Sequence, residues 1–152
     1  MLESVAELVD LDVWGYGAQR LAPGSPLRAR WHGEAWGMEM YRALASGRVV
    51  VNRHIEAAEG WANNMRLFEA TGVGAAVVTE AAANLPDLFE PGVEVATYTY
   101  TDDLVATVHA LLADEPRRAA MAAAGQARTL RDHSYPVRMA QLADLLGDRL
   151  LR

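Results

Sequence analysis

The chain contains no cysteine and no lysine. The first absence removes disulfides, thiolate metal sites and cysteine nucleophiles together, and is compatible with a reducing compartment. The second makes every one of the 14 basic residues an arginine. Any phosphate must then be met by guanidinium or backbone N–H groups, never by an ammonium. Genomic base composition is the simplest source of that bias. No stretch approaches about 18 uninterrupted apolar residues, so no membrane span is expected. The start, Met1-Leu2-Glu3-Ser4-Val5-Ala6-Glu7, lacks the basic segment of a secretory signal, and a cytoplasmic location is expected. Net charge is −6 with no basic run, which argues against nucleic acid as a partner. Neither a nucleophile elbow nor a P-loop occurs. His32, His109 and His133 have no ligand spacing with carboxylates, so neither a metal nor a cofactor is expected.

What is present fits one domain, residues 1–152, long enough to close a core. Residues 1–8 suggest a short helix. Val9 to Trp14 alternates apolar and acidic, the pattern of a strand with one polar face. Gly15-Tyr16-Gly17 then makes a tight turn. A dinucleotide fingerprint would need glycine at position 20, where Arg20 stands. Residues 18–30 read as loop, Arg30-Trp31-His32 as a brief strand, and Trp36 to Leu44 as a helix with Gly47 near its end. Val49-Val50-Val51-Asn52 is a buried strand. Asn63 and Asn64 then open a helix, Gly72 and Gly74 close it, and Ala75 to Glu80 is a second apolar strand.

Strand, helix and strand with short connections build a parallel sheet. Residues 84–92 are turn-rich with one helical turn, and Val93 to Tyr98 is a third strand. Residues 101–152 are mainly helical: one helix from Thr101, another from Pro116 ending near Gly125 or beyond, and a closing amphipathic helix after Ser134 and Pro136. The fold class is α/β: a three-layer Rossmann-like domain with a mostly parallel sheet and an α-helical C-terminal tail.

In such sheets ligands bind beyond the carboxyl ends of the strands, and a helix N-terminus there favours a phosphate. Asn63 and Asn64 are capping residues whatever the function. Arg66 and Glu69 sit three apart and share a face. By default they are solvated helix charges. In a site, Arg66 meets a phosphate and Glu69 accepts from a sugar diol. His54 follows one strand end and either reaches a phosphate or is a hydrogen-bonded structural residue. Glu80, at the next strand end, is either a ligand contact or a helix-start acid.

The run Asn64-x-Arg66-x-Phe68-Glu69-Ala70, followed by a glycine-bearing turn and an apolar strand, resembles the donor-binding C-terminal half of GT-B glycosyltransferases. The likeness is to the group 1 enzymes that include the spore maturation proteins. Leu88-Phe89-Glu90-Pro91-Gly92-x-Glu94-Val95 is similar to a loop of that family. Asp114-Glu115-Pro116-Arg117-Arg118, Ala124-Gly125 and His133-Ser134-Tyr135-x-x-Arg138 resemble its C-terminal signature. The resemblance covers roughly residues 36–140. It implies a domain that binds a nucleotide diphosphate sugar, UDP- or GDP-linked, with Glu69 on the ribose hydroxyls and the diphosphate near Asn63, Asn64 and Arg66. It also turns Gly15 and Gly17 toward an interdomain cleft as candidate donor contacts.

Many group 1 enzymes carry an earlier glutamate eight residues before the one matching Glu69; here that position is Trp61. GT-B enzymes also have two Rossmann-like domains, and this chain has room for one. The expectation is therefore a donor half that works with an acceptor-domain partner or as a homo-oligomer, with Trp14, Tyr16, Trp31 and Trp36 on the exposed face. The rival reading is a non-catalytic nucleotide-binding or interaction module. A response-regulator reading fails for want of a strand-end lysine and an acidic cluster.

Overall fold

A computed structural model of the protein describes residues 2–62 and 64–150, with backbone alone at 56 and 148–150. The sheet has three strands, β1 (Val49–Asn52), β2 (Ala76–Glu80) and β3 (Ala96–Tyr98), in that spatial order and all parallel. Pairing places Val49 opposite Ala76 and Asn52 opposite Thr79, so β1 and β2 start level and β2 runs one residue further, to Glu80. Among the described residues eight α-helices accompany it: α1 (Leu2–Ala6), α2 (Pro26–Ala29), α3 (Met38–Ser46), α4 (Met65–Gly72), α5 (Leu85–Leu88), α6 (Thr101–Ala113), α7 (Glu115–Asp132) and α8 (Tyr135–Leu150).

Both faces of the sheet are covered, because successive strand residues point to opposite sides and both sets are apolar. Val78, Ala96 and Tyr98 pack with Val5 of α1 and with Leu104, Val108 and Leu111 of α6. Val77 and Val95 pack on the other side with Leu67 and Ala70 of α4 and with Leu85 and Phe89. The three-layer α/β fold expected from the sequence is the fold observed.

Helix α4 shows why its ends lie where they do. Asn64 caps the start, its side chain accepting from the Leu67 N–H at 3.3 Å. At the far end Gly74 takes φ +79, the Gly74 N–H bonds the Thr71 carbonyl at 2.9 Å, and the Ala75 N–H bonds the Ala70 carbonyl at 3.1 Å. That pair of bonds is a Schellman turn, which needs a left-handed residue such as glycine and drops the chain directly into β2.

Two expectations are corrected. Val9 to Trp14 forms no strand of the sheet; it makes a single parallel bridge, Val13 with Trp31, while Val9 and Leu11 pack on the core. Its alternation records burial on one side without a neighbour along the edge. The third strand is confined to Ala96–Tyr98, because Val95 bridges back to Pro91. Helix α7 runs beyond Gly125, as the sequence allowed, and ends at Asp132, about 27 Å at helical rise.

Gly125 serves a close approach rather than a turn. A Cβ there would lie 2.5 Å from the Glu94 carbonyl oxygen. One turn on, Thr129 Oγ1 meets Thr71 Oγ1 of α4 at 2.6 Å. Gly125→Ala is therefore expected to destabilise the fold by about 1–3 kcal/mol, the range for forcing atoms into a packed contact. Urea unfolding followed by circular dichroism measures it, and an unchanged midpoint contradicts the contact.

Candidate functional site

The carboxyl ends of the strands are tied together by a buried polar network. Asn52, last residue of β1, donates from Nδ2 to Thr79 Oγ1 of β2 at 2.9 Å. Its Oδ1 accepts from Asn64 Nδ2 at 2.9 Å, and its carbonyl accepts from the Tyr98 hydroxyl of β3 at 3.1 Å. Asn64 Nδ2 also donates to the Arg53 carbonyl at 2.8 Å. One asparagine thus joins β1, β2, β3 and the cap of α4. Burial pushes the Tyr98 hydroxyl up to about 12, with the Glu80 charge adding to it, so it stays a donor at neutral pH.

His54 is buried beside this network. Its Nε2 lies 3.3 Å from Thr79 Oγ1, and its backbone N–H donates to Glu80 Oε2 at 3.2 Å. Either atom can be the donor of this bond, because a hydroxyl has two acceptor lone pairs as well as its proton, and Nδ1 finds no hydrogen-bond partner among the described residues. Burial lowers the His54 pKa against the opposing charge of Glu80, which favours the neutral ring. Glu80 faces Arg53 as well, with Oε1 4.0 Å from Nε.

Arg66 and Glu69 form an ion pair, NH1 to Oε2 at 3.0 Å, on consecutive turns of α4. The Glu69 side chain is only 16% exposed, so it is not a solvated surface acid. Arg66 stands where two grooves meet. A smaller one of about 520 Å³ is lined by Val51, Asn52, Arg53, Asn64 and Arg66. A longer one of about 550 Å³ runs beside the outer edge of β1 and has Gly15, Tyr16, Trp36 and Arg66 in its walls.

The structure therefore brings Asn64, Arg66, Glu69, His54 and Glu80 to one end of the sheet. Gly15 joins them across the longer groove. Gly17, at φ +96, caps a short 3-10 turn at Ala18–Arg20 and lines neither groove. Asn63 lies outside the described residues. Asn52, Thr79 and Tyr98 were not singled out from sequence; their only signal was a polar residue at or next to the end of each strand. Among the described residues no group of three or more His, Cys, Asp or Glu side chains could hold a metal ion, and no helix is long and apolar enough to cross a membrane. His133, whose ring packs on Phe68 of α4 at 4.9 Å, bonds the Leu88 carbonyl through Nε2 at 2.8 Å, and Arg138 approaches its Nδ1 at 2.6 Å. These two hold the start of α8; Tyr135 is exposed and does not.

Two stability measurements follow from this arrangement. Asn52→Ala removes the side-chain partner of Thr79 and of Asn64 while keeping the main-chain carbonyl that Tyr98 bonds, and is expected to cost about 2 kcal/mol in urea unfolding, since each stranded buried group costs about 1–3 kcal/mol. The lowered pKa values of His54 and His133 act in the opposite sense to a paired histidine. The unfolded chain takes up protons near pH 6.5 that the folded chain resists. Their contribution is whole above about pH 6.5 and is lost as pH falls from there toward the lower folded values. A urea midpoint lower at pH 5.5 than at pH 7.5, with a smaller drop in His54→Gln, is the expected outcome; an equal drop excludes His54 as a contributor.

Comparison with known proteins agrees with this architecture. A family model described as glycosyl transferase-like matches residues 1–144. Among solved structures, Anabaena Alr3699/HepE in complex with UDP superposes with a TM-score of 0.64 at 19% identity, covering 80% of this chain and 33% of that one. Its complex with UDP-glucose gives 0.67 at 20% identity, covering 82% and 34%. Sucrose-phosphate synthase (tll1590) from Thermosynechococcus elongatus gives 0.64 at 17% identity, covering 86% and 34%. The chain spans about a third of the length of these structures. At such identities the likeness is one of fold: the three-stranded parallel α/β domain matches part of the GT-B glycosyltransferases. A comparison with curated proteins gives no match. The family match takes in all but the last eight of the 152 residues, and the chain belongs to the glycosyl transferase-like family.

Proposed function

We propose that this chain is the donor-binding, C-terminal portion of a group 1 GT-B glycosyltransferase and binds a nucleotide diphosphate sugar, UDP- or GDP-linked. The observation that carries the reading is the Arg66–Glu69 pair on a capped helix at the carboxyl end of β1, with Arg66 in the walls of both grooves. The diphosphate lies at the start of α4, where the first N–H groups and the Arg66 guanidinium supply positive charge. Arg66 moves onto the phosphate, and Glu69, released from it, accepts both hydroxyls of the ribose.

In the transfer an acceptor hydroxyl oxygen bonds to the anomeric carbon while the bond from that carbon to the diphosphate oxygen breaks. The leaving diphosphate gains negative charge, and fixed N–H dipoles with a guanidinium stabilise it without reorganising. A base for the acceptor proton belongs to a partner domain. The exposed apolar residues Met139, Leu142, Leu145 and Leu146 on α8 support such a partner.

The second reading, nucleotide binding without transfer, is favoured by Trp61, which is 56% exposed at the position of the family's earlier glutamate. Calorimetric titration with UDP and GDP tests the binding common to both. Glu69→Ala is expected to weaken it at least tenfold, the loss of charge-assisted bonds worth about 1.5–3 kcal/mol, with little change in the unfolding midpoint. Undiminished binding in that variant removes Glu69 from the site. The isolated chain is expected to release no sugar from UDP-glucose to an acceptor, and transfer by the chain alone refutes the need for a partner domain.

A further inference from the structure

The longer groove carries a feature that the donor reading does not use. Tyr16 and Trp36 stand at its wall with rings within 8° of parallel and centroids 6.3 Å apart. They are 76% and 63% exposed, although two such rings would ordinarily be buried. Their backbones are held from both sides. The Gly15 N–H bonds the Gly33 carbonyl at 2.8 Å, and Trp31 Nε1 donates to the Gly15 carbonyl at 2.7 Å. Trp36 Nε1 donates to Glu34 Oε2 at 2.9 Å, which restrains the indole plane. Gly15 at φ +144 and Gly37 at φ +52 give the chain the bends that present each ring.

The rings also share a groove with the site. Helix α3, which begins two residues after Trp36, packs against α4, the helix that carries Arg66. The same groove has Arg66 in its walls.

We propose that Tyr16 and Trp36 form a stacking platform for the nucleobase of the bound nucleotide, a proposal that rests on the donor-site reading. A flat π system next to a guanidinium suits a ligand with a planar aromatic end and an anionic end. Stacking on an aromatic face is tolerant of base identity, because every base has a π face. The platform thus gives affinity without choosing between uracil and guanine. Edge contacts elsewhere must make that choice.

The test is titration of UDP into the full chain and into Trp36→Ala, Tyr16→Ala and Trp36→Phe, with urea midpoints and light scattering for each. Trp36→Ala is expected to weaken UDP about tenfold or more at an unchanged midpoint. GDP should lose a similar factor. Trp36→Phe should retain most of the affinity yet lose the quenching of indole emission that UDP causes in the wild type. Wild-type affinity in both alanine variants overturns the platform while the donor-site reading stands. Absence of any UDP or GDP binding by the wild type overturns both. A wild-type dimer that Trp36→Ala dissolves, with nucleotide affinity unaltered, overturns the platform in favour of an interface between copies.

Discussion

The site depends on one buried amide. Asn52 spends its donor on β2 and its side-chain acceptor on the cap of α4, while its own carbonyl anchors the β3 tyrosine. An amide in that position is tolerable only because its groups are matched; unmatched, it would cost more than an apolar side chain of the same size. The same matching fixes where α4 begins. Since Arg66 and Glu69 lie on the first two turns of that helix, their place relative to the strand ends follows from the amide that holds the cap.

Around this point the electrostatics are arranged in pairs. Glu69 holds Arg66, and Glu80 faces both Arg53 and the His54 backbone. Each carboxylate keeps its guanidinium from straying while the groove holds no anion, which lowers the ordering entropy that a ligand must overcome. Because every cation here is an arginine, the charge offered to a phosphate does not titrate in any ordinary pH range.

Much of the central unit was legible in the sequence. The run of three valines gave β1, the asparagine cap and the glycine turn gave the bounds of α4, and the burial of β2 on both faces followed from its uniform apolarity. Other parts were not legible, for physical reasons. Residues 9–14 have the alternation of a strand, but a ladder needs a neighbour at hydrogen-bonding distance, and periodicity says nothing about that. Gly125 reads as a stop in a linear pattern; only the approach of the Glu94 carbonyl shows that it marks a contact. The Asn52, Thr79 and Tyr98 network depends on the register of three strands 46 residues apart along the chain. Likewise, that Tyr16 and Trp36 share one wall depends on how two glycine-bent loops fold toward each other.

Strand β1 ends one side of the sheet, and its outer margin borders the longer groove. Three valines in a row carry no proline or inward charge to blunt that margin, so the segment from Val9 to Tyr16 across the groove is what stands between its backbone groups and another chain.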